Sequence, residues 1–337
     1  AGLLILLMST PLIAFGLWLS PASSEVEELA QKYISVRVWS APAAISLYGI
    51  VGWLIALERT KSVLFLQFFM NGVNVLLDIW FVLGLGWGIE GVAIATAIAE
   101  VSALILGLLL CYDRFKEKSW PKIQTIFSTT LLKNMLSVNL DILLRSIILQ
   151  IIFVSFLLYG GKFGDIKLAA NQVLLQFLHI AAHGLDGFAL AAETLVGQAF
   201  GKKDRASLRK SVSVSSKLAF LLSCIMAISF SLLGPFVIDL MTTAEDVRLE
   251  AKSYIIFIVL VPILGVFPYM LDGIFVGAMK TKDMRNMMFI SLIFYLLALI
   301  LLVPHFENIG LWSALLISFV VRGVTLLLRY PSLEKSI

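Results

Sequence analysis

Ten long apolar segments constrain this sequence more than any other feature. Each contains about 20 residues, the length that an α-helix needs to cross the hydrocarbon core of a bilayer. They lie near residues 2–20, 36–57, 63–85, 90–111, 134–159, 166–198, 212–239, 253–279, 286–304 and 309–328. The alternating strands of a transmembrane β-barrel do not occur in the sequence. The pattern therefore predicts an all-α polytopic membrane protein with about ten transmembrane helices.

The composition excludes other classes of protein. Of the 337 residues, 60% are hydrophobic and 14% are charged, whereas a soluble domain has charges at about 25% of its positions. The net charge of +4 is small and scattered, so we expect no nucleic-acid partner. Both cysteines lie in apolar segments, which disfavours a disulfide framework or a cysteine metal site. We expect neither a metal nor a cofactor.

Basic residues alternate between successive connectors. Of the 26 lysines and arginines, 18 lie in every second connector and the C-terminal tail, and six lie in the connectors between them. The remaining two, Arg145 and Arg322, lie within predicted helices. Because cytoplasmic loops are enriched in Lys and Arg, we expect a multi-pass protein of the inner (plasma) membrane with a cytoplasmic C-terminus.

The longest polar connector covers residues 112–133 and contains Pro121. It divides the sequence into an N-terminal lobe of four helices, residues 1–111, and a C-terminal lobe of six helices, residues 134–337. We expect the connector to be a cytoplasmic linker between the lobes.

The two lobes share an internal repeat with an offset of 221 residues. The matched pairs are Tyr33 with Tyr254, Tyr48 with Tyr269, Gly52 with Gly273, Thr60 with Thr281 and Lys61 with Lys282. This register predicts two lobes of equal orientation, related by an axis along the membrane normal. It also leaves the first lobe without counterparts of helices 134–159 and 166–198. We therefore expect a 6+6 helix protein whose first two helices are absent from this sequence.

Helix 166–198 carries an unusual polar stripe. Its members are Gln172, Gln176, His179, His183, Asp186 and Glu193. At about 100° per residue, all six fall within a wedge of roughly 100°. One interpretation is a wall of a solvated transport cavity, because ionisable groups in a membrane are costly and commonly functional. The other is a polar seam between helices. The presence of two histidines and two carboxylates in the stripe favours the interpretation as a cavity wall.

Two more carboxylates lie inside predicted helices. Asp141 and Arg145 are four residues apart, a spacing that favours an ion pair on one helix face. Pro268 is expected to bend its helix just before Asp272, leaving a free carbonyl beside a carboxylate that suits a cation or a proton. A structural role remains open for each carboxylate: Asp141 as half of a neutralised ion pair, and Asp272 as a residue beside a packing kink. For Asp78, Glu100 and Arg322 the structural role is favoured.

His179 and His183 have the spacing of a zinc-protease motif. Ile180 occupies the position where that motif needs a glutamate general base. An intramembrane hydrolase is therefore disfavoured, and we expect a protein that is not an enzyme.

The second lobe resembles the MATE (multidrug and toxic compound extrusion) transporters. The likeness to their eighth helix and following loop lies in Ala170–Gln172, Leu185–Ala189 and Gly197–Asp204. Asn139–Ser146 and Leu271–Ala278 look like the DinF-like branch, while Asn74–Asp78 and Gly88–Ala93 are similar to the fifth and sixth helices.

This resemblance implies two six-helix lobes around a cavity that alternates between the membrane faces. It implies export of small organic, often cationic, compounds against inflow of H⁺ or Na⁺, in the lipid bilayer and as a monomer. In DinF-like members the coupling carboxylate usually lies on the first helix, which we expect to be absent from this sequence. Other branches carry carboxylates on the seventh and tenth helices, and Asp141 and Asp272 occupy comparable places. The alternative within the superfamily is a flippase for a lipid-linked sugar, which would need a more basic cavity. Candidate cavity residues are Asp141, Arg145, Gln172, Gln176, His179, His183, Asp186 and Asp272.

Overall fold

The computed structural model describes residues 2–18, 24–115 and 128–336, and these residues are almost entirely helical. The chain divides into two compact units, Ala1–Lys122 and Ile123–Ile337. Most of the predicted linker, residues 116–127, lies outside the described residues.

The described residues of unit 1 form six α-helices. They are α1 (Gly2–Leu7), α2 (Ser9–Trp18), α3 (Ser24–Arg37), α4 (Ala41–Ala56), α5 (Thr60–Asp78) and α6 (Gly88–Phe115). A short 3₁₀ turn joins α3 to α4, and a π-helical turn, Ile79–Gly84, follows α5. Arg37 on α3 donates two hydrogen bonds, of 2.7 and 2.8 Å, to the Glu100 carboxylate on α6. This bidentate pair supports the structural role expected for Glu100.

Six further helices lie in the described part of unit 2. They are α7 (Thr129–Gly161), α8 (Asp165–Gly201), α9 (Arg205–Met241), α10 (Glu245–Ser253), α11 (Ile255–Gly277) and α12 (Thr281–Lys335). Side-chain caps start two of them, since Ser128 accepts from the Leu131 amide and Asp204 accepts from the Ser207 amide. Hydrogen bonds from the Ser207 hydroxyl and amide lower the pKa of Asp204, which lies in the α8–α9 loop.

Eight helices in the described part of the chain are long and apolar enough to cross a membrane. The predicted spans 286–304 and 309–328 both lie in α12, where Glu307 departs from helical geometry (φ 46°, ψ −121°) and separates two helical halves. The span predicted over residues 2–20 is interrupted once in the described residues. It forms α1 and α2, with a turn at Met8. Pro11 explains the break because it lacks an amide hydrogen to continue the helix from Leu7.

The turn between α4 and α5 recurs between α11 and α12. Glu58 and Met279, 221 positions apart, both have positive φ values, of 58° and 57°. The amide of the next residue donates the same backbone hydrogen bond in both turns, from Arg59 N to Leu54 O at 2.9 Å and from Lys280 N to Phe275 O at 2.8 Å. The same turn also ends α8, where Lys203 has a φ of 55° and Asp204 N bonds to Ala199 O at 3.0 Å. The geometry is therefore a common helix C-terminus, consistent with the internal repeat but not specific to it.

Helix α11 lies at the centre of unit 2, packed against α8, α9 and α12. It approaches α8 through Gly273 and Gly277, one helical turn apart. A Cβ atom at either glycine would overlap the α8 backbone at Ala189 or Glu193. Small residues at this spacing allow membrane helices to approach closely. The contact therefore fixes the polar face of α8 next to Asp272 on α11.

Candidate functional site

The polar stripe of α8 lies on one side of that helix. Its exposed members are Gln172, Gln176, His179, His183 and Asp186, and Glu193 is half-buried. The opposite side packs into unit 2 through Leu174, Leu178 and Leu185, each at most 1% exposed. The His183 Nδ1 atom lies 2.6 Å from the His179 carbonyl oxygen, so this ring bonds to its own helix.

A buried charge cluster lies beside this stripe. Arg145 on α7 and Arg322 on the second half of α12 both donate to Oδ2 of Asp272 on α11. Asp272 is 7% exposed and Arg322 is 2% exposed. Two guanidinium groups exceed the charge of this carboxylate by one, so the cluster repels an additional cation. In the described residues Asp272 is the counter-ion of two arginines, where the sequence left open a cation- or proton-binding group or a packing kink. Helix α11 continues through both Pro262 and Pro268.

The predicted ion pair between Asp141 and Arg145 is wrong. Asp141 instead accepts from Arg285 Nη1 at 2.5 Å and from the Thr281 hydroxyl at 3.2 Å, both at the start of α12. Arg145, one turn further along α7, reaches Asp272. Ion pairs between neighbouring helices form here in place of the pair within α7, because a desolvated ion pair interacts more strongly than an exposed pair on one helix.

A cavity of about 240 Å³ joins the stripe to the cluster. The polar and charged side chains in its lining are Arg145, Asp186, Glu193, Tyr269 and Asp272. Within the described structure, Arg145 Nε and Asp272 Oδ1 are buried and have no hydrogen-bond partner. Buried polar atoms are normally satisfied, so this donor and acceptor beside a cavity suit a polar guest or an ordered water.

The ionisable side chains around this cavity carry a net negative charge when all of them are ionised. Asp186, Glu193 and Asp272 provide three carboxylates, whereas Arg145 and Arg322 provide two guanidinium groups. When all five are ionised, one negative charge remains in excess. This excess negative charge lies on the α8 side, at Asp186 and Glu193, since both arginines donate to Asp272. The cavity thus favours a cation near Asp186 and Glu193.

Sequence reasoning favoured a structural role for Arg322, and its buried ion pair with Asp272 fits that role. Two other residues were missed. Tyr269 lies three residues before Asp272 and hence on the same helix face, a relationship visible in the sequence. Arg285 had no local signal, because its partner Asp141 is 144 positions away.

The remaining polar groups of unit 2 are structural or isolated. The Asn171 side chain of the family-like motif is fully buried and bonds to Asn308 and to the Trp312 indole. His179 and His183 belong to no group of three or more potential metal ligands among the residues described.

A membrane-spanning helical bundle with a charged internal cavity is typical of transport proteins, and comparisons with known proteins specify the family. The MatE family model matches residues 142–302. DNA damage-inducible protein F of Escherichia coli K12 is 34% identical over 328 residues, covering 97% of this chain and 71% of that protein.

Two solved structures share the fold. A variant of the MATE transporter VcmN from Vibrio cholerae matches with a TM-score of 0.86 and 20% identity, over 100% of this chain and 76% of that one. A MOP superfamily transporter from Pyrococcus furiosus matches with a TM-score of 0.87 and 20% identity, over 98% and 75%.

The chain belongs to the MATE family of multidrug and toxin efflux transporters, and its similarity to the E. coli protein confirms the DinF-like resemblance. Members of this family are transporters and not enzymes, as expected from the sequence.

Proposed function

We propose that this protein exports small organic, often cationic, compounds by antiport with protons or sodium ions. The observation that carries the proposal is the excess carboxylate in the cavity of unit 2. In the described residues Asp186 and Glu193 line it without forming an ion pair, while Asp272 receives both arginines. A cation therefore finds its attractive site on the α8 side.

Competition for one site would couple the two fluxes. If an inorganic cation and an organic cation both neutralise Asp186 and Glu193, each must leave before the other binds. Exclusive occupancy gives an unfavourable, positive coupling free energy between the two ligands, so each lowers the affinity for the other, as exchange requires. The exposed members of the stripe, including Gln172, Gln176, His179 and His183, would supply hydrogen bonds along the entrance.

Asp272, Arg145 and Arg322 would act as a fixed counter-charge. Their cluster holds Arg145 at the cavity wall, where its guanidinium limits how strongly Asp186 binds a cation. Moderate affinity suits a transporter, because a cation held too tightly would not be released. Asp141 would anchor the start of α12 through Arg285 and Thr281.

The wider organisation belongs to the same proposal. Residues 1–111 and 134–337 would form two lobes that provide alternating access, joined by a cytoplasmic linker at 112–133. The protein would act as a monomer in the inner membrane with a cytoplasmic C-terminus, as the distribution of basic connectors favours. Flipping of a lipid-linked sugar is disfavoured, since the cavity's two arginines are engaged by Asp272.

Ion release on substrate addition tests this proposal. The protein would be reconstituted in liposomes that hold a proton or a sodium gradient, with ethidium as the organic cation. Addition of ethidium should dissipate one of the two gradients, and liposomes without protein should show no change. Ethidium transport that moves neither ion would overturn antiport.

A further inference from the structure

Helix α11 separates two different surfaces of unit 2. Tyr269, Asp272, Gly273 and Val276 face the charged cavity. Phe267, Met270, Leu271 and Ile274 line a groove of about 380 Å³ with parts of α9 and α12. At about 100° per residue these two sets lie on opposite sides of α11. The groove is therefore distinct from the charged cavity.

The groove is apolar and open. Phe220 on α9, Phe267 on α11 and Leu327 on α12 line it and are 46%, 51% and 55% exposed. Exposed side chains of this kind on membrane-spanning helices contact acyl chains rather than water. The groove volume falls within the range of about 300–1,000 Å³ that is usual for ligand sites.

One cation lies in the wall of this apolar groove. Lys217 on α9 is exposed and has no carboxylate within ion-pair distance in the part of the chain that the structure describes. The hydroxyl-bearing residues Ser216 and Tyr330 also line the groove. The neighbouring Arg209, by contrast, pairs with Glu334. Lys217 is therefore the groove cation that is available to an external anion.

The position of Lys217 along α9 matches a lipid headgroup. The helix is polar and basic from Arg205 to Lys217, and no charged residue occurs from 218 to 238. Lys217 is thus the last charge before the apolar span, at the depth where lysine side chains extend towards the membrane interface. Tyr330 lies beside it in the lining, and tyrosine is enriched at the same interface.

We infer that this groove binds an anionic phospholipid, with an acyl chain against Phe267 and Leu327 and the phosphate at Lys217. The apolar lining alone would accept any acyl chain. The unpaired ammonium group adds selectivity for a negatively charged headgroup, because a basic residue near a membrane surface attracts anionic lipid. The site is separate from the charged cavity, so the inference of lipid binding does not depend on the proposed antiport.

Lipid retention measured by native mass spectrometry tests this inference. The detergent-purified protein would be titrated with phosphatidylglycerol and phosphatidylcholine carrying identical acyl chains. The unmodified protein should bind the anionic lipid more tightly, and Lys217→Gln should reduce that preference about fivefold. Lys210→Gln, an exposed lysine on the same helix outside the groove lining, should leave the preference unchanged.

A second variant tests the apolar part of the site. Leu327→Trp places a larger side chain in the groove and should weaken binding of both lipids, with the headgroup preference retained. Thermal unfolding would verify that each variant is folded. Equal affinity for the two lipids, or an equal effect of Lys210→Gln and Lys217→Gln, would overturn the inference. Displacement of lipid by ethidium with unchanged affinity in Lys217→Gln would assign the groove to organic substrates instead.

Discussion

Asp272 and Arg322 are 50 positions apart in the chain, yet their side chains form an ion pair in the buried centre of unit 2. Arg145 from a third helix donates to the same carboxylate oxygen. The cluster joins α7, α11 and α12, so it bears on both the stability of the bundle and the charge of the cavity.

Removal of Arg322 should destabilise the protein. Arg322→Gln leaves a buried carboxylate with one guanidinium partner, and breaking a buried pair costs about 3–5 kcal/mol when no other partner remains. Because Arg145 remains, we expect a smaller loss of about 2 kcal/mol, seen as a lower thermal unfolding temperature in detergent.

The control for this variant is Arg329→Gln, an exposed arginine on the same helix that should have little effect. The double variant Asp272→Asn with Arg322→Gln should not recover the loss, since it leaves the Arg145 guanidinium without its carboxylate partner. Equal unfolding temperatures for Arg322→Gln and Arg329→Gln would contradict the account of the cluster.

A double-mutant cycle should show coupling between Asp141 and Arg285. Asp141→Asn and Arg285→Gln each remove the same contact between α7 and α12, so their effects on unfolding should be non-additive by about 1 kcal/mol. The pair Asp141 and Arg329 provides the control and should be additive within about 0.5 kcal/mol. Additive effects for Asp141 and Arg285 would show that their ion pair contributes nothing.

Gly273→Ala should be disruptive although it adds a single methyl group. The new Cβ would overlap the carbonyl of Ala189, so α8 and α11 would have to separate. We expect a loss of about 1–3 kcal/mol, typical of overpacking, and a lower unfolding temperature. Gly201→Ala, at the end of α8 with nothing within 4 Å of its Cβ position, is the matched control. Similar stability of the two variants would argue against close packing at Gly273.

Local sequence patterns were sufficient for the fold class and for the face of α8. Apolar length predicted the helices because a bilayer forces each span to satisfy its own backbone hydrogen bonds. The period of the helix placed His183 and Asp186 on one side. The break at Glu307 was correctly predicted as a boundary between two spans, since polar residues interrupt the apolar pattern there.

The pairing of charges could not be predicted in the same way. Asp141 and Arg145 satisfy a local rule, but each meets a partner on another helix. Which helices are neighbours depends on contacts such as that of Gly273 with Ala189, which no local pattern encodes. The contact of Asp272 with Arg322, 50 positions away, is likewise not encoded in any local pattern, so the sequence left its role open.

Gradient-driven export by the Asp186→Asn variant tests the central claim most directly. Ethidium transport would be measured in liposomes with a proton gradient and a sodium gradient imposed separately, alongside thermal unfolding of the same preparation. The variant keeps the shape and hydrogen-bonding capacity of the side chain and removes its charge. Asp165→Asn, an exposed carboxylate at the start of the same helix, is the control.

The account predicts that one gradient drives export by the unmodified protein and by Asp165→Asn. Asp186→Asn should lose at least tenfold in that rate, equivalent to about 1.4 kcal/mol, with its unfolding temperature unchanged. Unchanged export per folded molecule together with a lower unfolding temperature would contradict the account, because Asp186 would then hold the bundle together without carrying the coupling.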